Sequence, residues 1–149
     1  MADPTDRVAW FLARCRRAGI KVTHQRTEIF RELAQTEEHP HAEAIYERVK
    51  RRIPAISQDT VYRNLRTLAE QRIIQKVGST GYRTRFDANV DPHHHFVCTL
   101  CGLIRDFYSG DLDQFQPPPP VREMGSVDSV YVELRGICKA CRSTRATAP

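Results

Sequence analysis

The feature that most constrains this chain is a pair of C-x-x-C knuckles, Cys98-Thr99-Leu100-Cys101 and Cys138-Lys139-Ala140-Cys141, with 36 residues between them. Each knuckle points two thiolates at one ion, and two knuckles complete a tetrahedral four-thiolate set suited to zinc. Four protein ligands leave no open position for water or substrate, so the expected site is structural. The competing use of the same residues, as disulfides or redox pairs, needs an oxidising compartment. Met1 to Trp10 has no apolar core of the kind a secretory signal carries, which favours zinc and a cytoplasmic location. The fifth cysteine, Cys15, falls on an apolar helix stripe and reads as a small buried hydrophobe.

A length of 149 residues suits one medium domain or two small ones, and no apolar run reaches membrane-spanning length. The net charge of +5 is unevenly placed. Residues 1–87 hold 17 Lys and Arg against 11 Asp and Glu, whereas residues 88–149 hold 6 against 7. The first part therefore carries the potential to bind a polyanion, and the second carries the metal ligands.

The first part reads as helices followed by a hairpin. Val8, Phe11, Leu12, Cys15 and Ile20 form one apolar stripe that Gly19 ends. Thr23 is a good N-cap for a second helix carrying Ile29, Phe30 and Leu33. A third begins near His41, places Ala42, Ile45, Tyr46 and Val49 on one face, and is closed by Pro54. Ser57 can cap a fourth over Asp59–Gln71, with Val61, Leu65 and Leu68 inward and Asp59 in the dipole-favoured first turn. Ile73–Val77 and Tyr82–Phe86 then read as strands around Gly78-Ser79-Thr80-Gly81. Helices closed by a β-hairpin describe a winged helix-turn-helix. The predicted class is α+β, with a winged-helix domain over 1–87, a hinge over 88–92, and a small α/β dimerisation and metal-binding domain over 93–149. In the latter, His94–Cys98, Leu103–Phe107 and Val127–Leu134 read as strands, and Asp111–Phe115 as a short helix that Pro117–Pro120 must stop.

With Val61, Leu65 and Leu68 buried, the fourth helix turns Gln58, Tyr62, Arg63 and Arg66 outward. Arg grips guanine edges or phosphates, Gln pairs with adenine, and a Tyr ring packs on a thymine methyl. An ordinary solvated basic helix has the same look; the following wing and the basic helix before it favour a double-stranded DNA partner. Lys21 and Arg26, at the start of the second helix, are candidates for backbone or minor-groove contact.

Histidine is concentrated in the run His93-His94-His95, which ends three positions before Cys98. In a strand, His93 and His95 share one face while His94 and Cys98 share the other. A second metal site can thus back onto the zinc site without sharing ligands. His39, Asp87 and Asp106 extend the mixed nitrogen and oxygen set, which suits Fe(II), Mn(II) or Zn(II). Taken singly, each of these residues reads equally well as polar surface.

The chain resembles the ferric-uptake-regulator (Fur) family of metalloregulators over nearly its whole length. The matching stretches are Gly19–Arg26, His39–Ala42, Asp59–Leu65, His93–Cys98 with Cys101, Gly102, Asp106 and Phe107, and Gly136–Cys138 with Cys141. The resemblance implies a homodimeric winged-helix repressor on a palindromic operator, with structural zinc on the four cysteines. It implies regulatory iron or manganese on His39, Asp87, His93, His95 and Asp106. Iron-sensing members usually have glutamate where Asp87 and Asp106 stand; members of the peroxide-sensing branch resemble this chain in carrying aspartate at both. In that branch bound Fe(II) reacts with hydrogen peroxide and a ligand histidine is oxidised; His39 and His93 match the oxidised positions. The alternative within the family is an iron or zinc sensor with no peroxide response. The chain departs from the family in its proline run, which takes the place of a longer helix. The segment Val130–Arg135 also lacks the histidine that many members use in an additional site.

Other classes fare worse. A zinc deaminase needs a His-x-Glu pattern followed by Pro-Cys-x-x-Cys; His41-Ala42-Glu43 has the first form, but Val97 and not proline precedes Cys98. A rubredoxin-like electron carrier would use the four thiolates but not the basic helix-turn-helix half. A non-enzymatic regulator is the expectation.

Overall fold

A computed structural model of the chain describes residues 4–78 and 84–146. It divides into two compact units, Met1–Val90 and Asp91–Pro149.

In the first unit, α1 spans Pro4–Arg17, α2 His24–Ala34, α3 Ala42–Lys50 and α4 Gln58–Glu70. Local chemistry sets the ends of these helices. Gly19, at φ +67, adopts the left-handed conformation after α1. Its N–H donates to Arg16 and the Ile20 N–H to Cys15, which satisfies the last carbonyls of α1. Side chains of Thr23, His41 and Ser57 cap α2, α3 and α4 by accepting from the N–H groups of Arg26, Ala44 and Thr60. The buried stripes of the four helices meet in one core that includes Phe11, Cys15, Phe30, Ile45, Leu65 and Leu68. Phe11 and Phe30 stack at its centre with ring centroids 4.3 Å apart. Burying each such side chain is worth about 1.5–3 kcal/mol. Arg52, just after α3, reaches back to α2, pairing with Glu28 at 2.7 Å and Glu32 at 2.6 Å.

A two-stranded antiparallel wing follows, with β1 at Gln75–Val77 and β2 at Arg85–Asp87, paired Gln75 to Asp87 and Val77 to Arg85. The strands are shorter than the spans Ile73–Val77 and Tyr82–Phe86 expected from sequence. Ile73 and Ile74 belong to the helical core instead. Ser79, Thr80, Gly81, Tyr82 and Arg83 lie outside the described residues.

The second unit is built on a three-stranded sheet of order β4-β3-β5, with β3 at His94–Cys98, β4 at Ile104–Phe107 and β5 at Glu133–Gly136. β4 runs antiparallel to β3 and β5 runs parallel to it. Between β4 and β5 lie α5, Gly110–Asp113, and α6, Pro119–Met124; α7, Lys139–Ala146, closes the unit.

Two expectations are corrected here. The expected helix over Asp111–Phe115 stops at Asp113, short of the proline run, and the run opens another helix: Pro118 is the N-cap of α6, with Pro119 and Pro120 in its first turn. The first helical positions need no N–H donor, so a proline that would break a helix interior can begin one. The strand expected over Val127–Leu134 is confined to Glu133–Gly136. Val130, Val132 and Leu134 alternate with the strand period, but no second strand pairs with residues 127–131 among the described residues.

Candidate functional site

The parallel register of β5 on β3 sets Cys98 opposite Gly136. The knuckle that follows β3 and the knuckle that opens α7 therefore emerge side by side. The Thr99 N–H donates to the Gly136 carbonyl at 2.8 Å and locks that end. Gly102 turns the first knuckle back into β4 at φ +71, a conformation that favours glycine. One sulfur from each of Cys98, Cys101, Cys138 and Cys141 lies within 4.8 Å of all the others. Cys101 Sγ and Cys138 Sγ are 3.8 Å apart. Zinc–sulfur bonds of about 2.3 Å place tetrahedral sulfurs about 3.8 Å apart, the separation of the Cys101 and Cys138 sulfurs, so the cluster fits zinc.

The electrostatics point the same way. Backbone N–H groups of Cys101 and Cys138 pull the Cys98 thiol down to about 6, whereas the neighbouring Cys138 and Cys101 sulfurs push the Cys141 thiol up to about 12. One thiolate in the cluster makes the next costly, and a divalent cation removes that conflict. Cys15 is fully buried in the first unit, and burial raises its thiol; it takes no part in the cluster.

The histidine run follows strand parity. His93 and His95 lie two apart, with their Nε2 atoms 2.9 Å from each other. Asp106 sits directly opposite His95 on β4. Its Oδ1 lies 3.5 Å from His95 Nε2 and 3.7 Å from His93 Nε2. His93 Nδ1 is 2.7 Å from the Asp91 carbonyl, which orients the ring with Nε2 toward the cluster. Two imidazoles and a carboxylate converging at such distances are a donor set suited to Fe(II), Mn(II) or Zn(II). His94 faces the other way and is fully buried. Its Nδ1 accepts from the Val132 N–H at 3.2 Å and its Nε2 lies 3.2 Å from Asp113 on α5. Sequence alone assigned His94 no partner; the fold makes it a tie between β3, α5 and the chain entering β5.

The remaining two candidate ligands meet in the first unit. His39 Nε2 lies 3.5 Å from Asp87 Oδ2, and both residues are buried. The other Asp87 oxygen accepts from the Asn89 N–H at 2.7 Å, and the Asn89 carbonyl accepts from Gln75 on β1. Asn89 and Gln75 carry no motif signal, which is why sequence reading passed them over.

On α4, Gln58, Tyr62, Arg63 and Arg66 are all exposed. Arg63 is only loosely held by Asp59 at 3.4 Å, and Arg66 lies 3.9 Å from Glu70. Such exposed pairs contribute little and yield readily to a phosphate or a base edge. Lys21 is exposed in the loop before α2. Arg26, the other candidate for backbone or minor-groove contact, is half-buried at the start of α2. Its guanidinium donates to Asn64 on α4 at 2.8 Å and to the Lys21 carbonyl, so it is engaged inside the unit.

A model of the ferric uptake regulator family matches residues 17–134. The chain belongs to the ferric uptake regulator family. It is a metalloregulator and not an enzyme. A peroxide-responsive repressor, PerR, of Staphylococcus epidermidis is 34% identical over 131 residues, covering 88% of this chain and 87% of that protein. Among solved structures, the Campylobacter jejuni peroxide stress regulator is 32% identical, with a TM-score of 0.69 over 78% of this chain and 88% of that one. The Helicobacter pylori ferric uptake regulator Fur shares the fold at a TM-score of 0.75 and 21% identity, with 95% of each chain covered. Among the described residues of this Fur-family chain, no helix is long and apolar enough to cross a membrane.

Proposed function

We propose that this Fur-family chain is a metal-dependent, DNA-binding transcriptional repressor of the cytoplasm that responds to hydrogen peroxide. The carrying observation is the ligand chemistry: aspartate at both Asp87 and Asp106, each beside histidine. His39 and Asp87 from the first unit and His93, His95 and Asp106 from the second would hold one regulatory ion. An ion shared by two units fixes one relative orientation. Moving a two-state equilibrium from 1:99 to 99:1 takes about 5.5 kcal/mol of differential binding, which several metal bonds can supply. Fe(II), when bound, supplies the electrons that convert peroxide into an oxidant beside its ligands. His39 and His93 supply the rings to be oxidised. An oxidised ring is a poor ligand, so the orientation is lost and the operator is released.

The nucleic-acid face would be α4, with Tyr62 and Arg63 at base edges, Gln58 and Arg66 beside them, and Lys21 on phosphate. Arg26 would act by positioning α4. One such helix reads only a few base pairs, so a homodimer on a palindromic operator is the expected arrangement. The second unit supports a dimer by what it leaves exposed: Tyr108, Phe115, Met124, Tyr131 and Leu134 are large apolar side chains in solvent.

The deciding experiment is operator binding by the zinc-loaded protein with Fe(II) or Mn(II), before and after a peroxide pulse. The Fe(II) form should release DNA and gain one oxygen on a peptide carrying His39 or His93; the Mn(II) form should keep its operator. An Fe(II) form that stays bound with unmodified histidines is instead a plain metal sensor.

A further inference from the structure

His39 has a backbone that its own sequence disfavours. It sits at φ +50, the left-handed region that non-glycine residues rarely enter. It also precedes Pro40, and a residue before proline is pushed toward extended conformations. A residue held against both preferences needs surroundings that over-determine it. Those surroundings are the wing. Arg85 Nη1 donates to the His39 carbonyl at 3.2 Å. The Phe86 N–H donates to the Pro40 carbonyl at 3.1 Å, and His41 forms a single antiparallel bridge with Arg85. On its far side, His41 Nδ1 accepts from the Ala44 N–H and so anchors the segment to α3. Residues 39–41 are thus a strap sewn between β2 and α3, and the strap brings the His39 ring to 3.5 Å from Asp87. Asp87 belongs to the same strand β2 that holds the strap.

We propose that Arg85 is a positioning residue for the regulatory metal: it holds the strained His39 backbone so that the imidazole meets Asp87. This rests on the reading of His39 and Asp87 as metal ligands. Because β2 is also half of the wing, the strand that aims both ligands is the one the wing hangs from. Loss of the Arg85 donor lets His39 relax toward the extended backbone that Pro40 favours, which swings its ring away from Asp87. Groups that orient metal ligands typically change metal affinity by about 10- to 100-fold when removed.

The test is Co(II) titration of the zinc-loaded full-length protein, read by affinity and by the visible ligand-field spectrum. Four proteins are compared: wild type, Arg85→Met, Arg85→Lys and His39→Ala. Met keeps the aliphatic stem without a donor; Lys restores one donor. We expect Arg85→Met to lose about 10- to 100-fold in Co(II) affinity with an altered spectrum at saturation, and Arg85→Lys to recover most of both. His39→Ala should lose at least as much, and adding Arg85→Met to it should cost little more. A residue that merely staples the fold would lower the melting temperature and leave the saturated spectrum unchanged, and that result overturns the proposal. If His39→Ala binds Co(II) like wild type, the ligand reading itself fails. If His39→Ala loses affinity while Arg85→Met does not, only the role of Arg85 fails. Should Arg85→Met not fold, Arg85→Leu is put to the same two outcomes.

Discussion

Arg26 Nε donates to Asn64 Oδ1 at 2.8 Å, and this one bond ties the start of α2 to the middle of the exposed α4. Asn64 is buried, and its amide nitrogen donates to the Thr60 carbonyl one turn back. Arg26 also donates to the Lys21 carbonyl. The face formed by Gln58, Tyr62, Arg63 and Arg66 therefore has a fixed rotation relative to Lys21.

Replacing Asn64 with Ala leaves the Arg26 guanidinium without that acceptor, at a cost of about 1–3 kcal/mol. Urea unfolding of Asn64→Ala should report that loss. Arg26→Ala combined with Asn64→Ala should cost clearly less than the sum of the two single changes, because they remove the same bond. Strict additivity would mean that the pair does not act as a unit.

Arg63→Ala should relax operator preference by about 1–3 kcal/mol at one position of each half-site. Lys21→Ala should weaken all sequences alike and flatten the salt dependence by about one unit of slope. Competition binding on single-base operator variants, repeated over a salt series, separates the two. Unchanged preference in Arg63→Ala would move the reading role to another part of α4.

Cys138→Ser should release zinc and unfold the second unit. Structural zinc contributes about 10–16 kcal/mol in small modules, against whole-domain stabilities of about 5–15 kcal/mol. Zinc analysis and sedimentation of the purified variant give the answer. A Cys138→Ser protein that stays zinc-loaded and dimeric contradicts the four-thiolate assignment.

Chelation should expose four thiols and not five. Cys98, Cys101, Cys138 and Cys141 converge within bonding reach of one ion, whereas Cys15 is sealed in the helical core with its thiol raised by burial. With iodoacetamide, the zinc-loaded protein should label slowly throughout. After chelator treatment the four knuckle cysteines should label quickly, and Cys15 only once the first unit is denatured. Peptide mass spectrometry distinguishes the five sites.

The sequence by itself determined what depends on near neighbours. Caps at Thr23 and Ser57, the glycine after α1, the inward face of α4 and the opposite facing of His94 and His95 all follow from groups one to four residues apart. Helix and strand periods are fixed by backbone geometry, so these signals survive in any fold. Tertiary structure decided whatever joins distant positions. The two knuckles meet because β5 runs parallel to β3 in one register. Arg26 and Asn64 are 38 residues apart in sequence, and Arg85 and His39 are 46 apart. Residue type says only that Arg can donate and that a carbonyl can accept. Which acceptor it finds depends on how the helices pack and where the wing is laid. The left-handed turn at His39 makes the same point, since His39 and Pro40 by themselves favour an extended chain and only the wing overrules them.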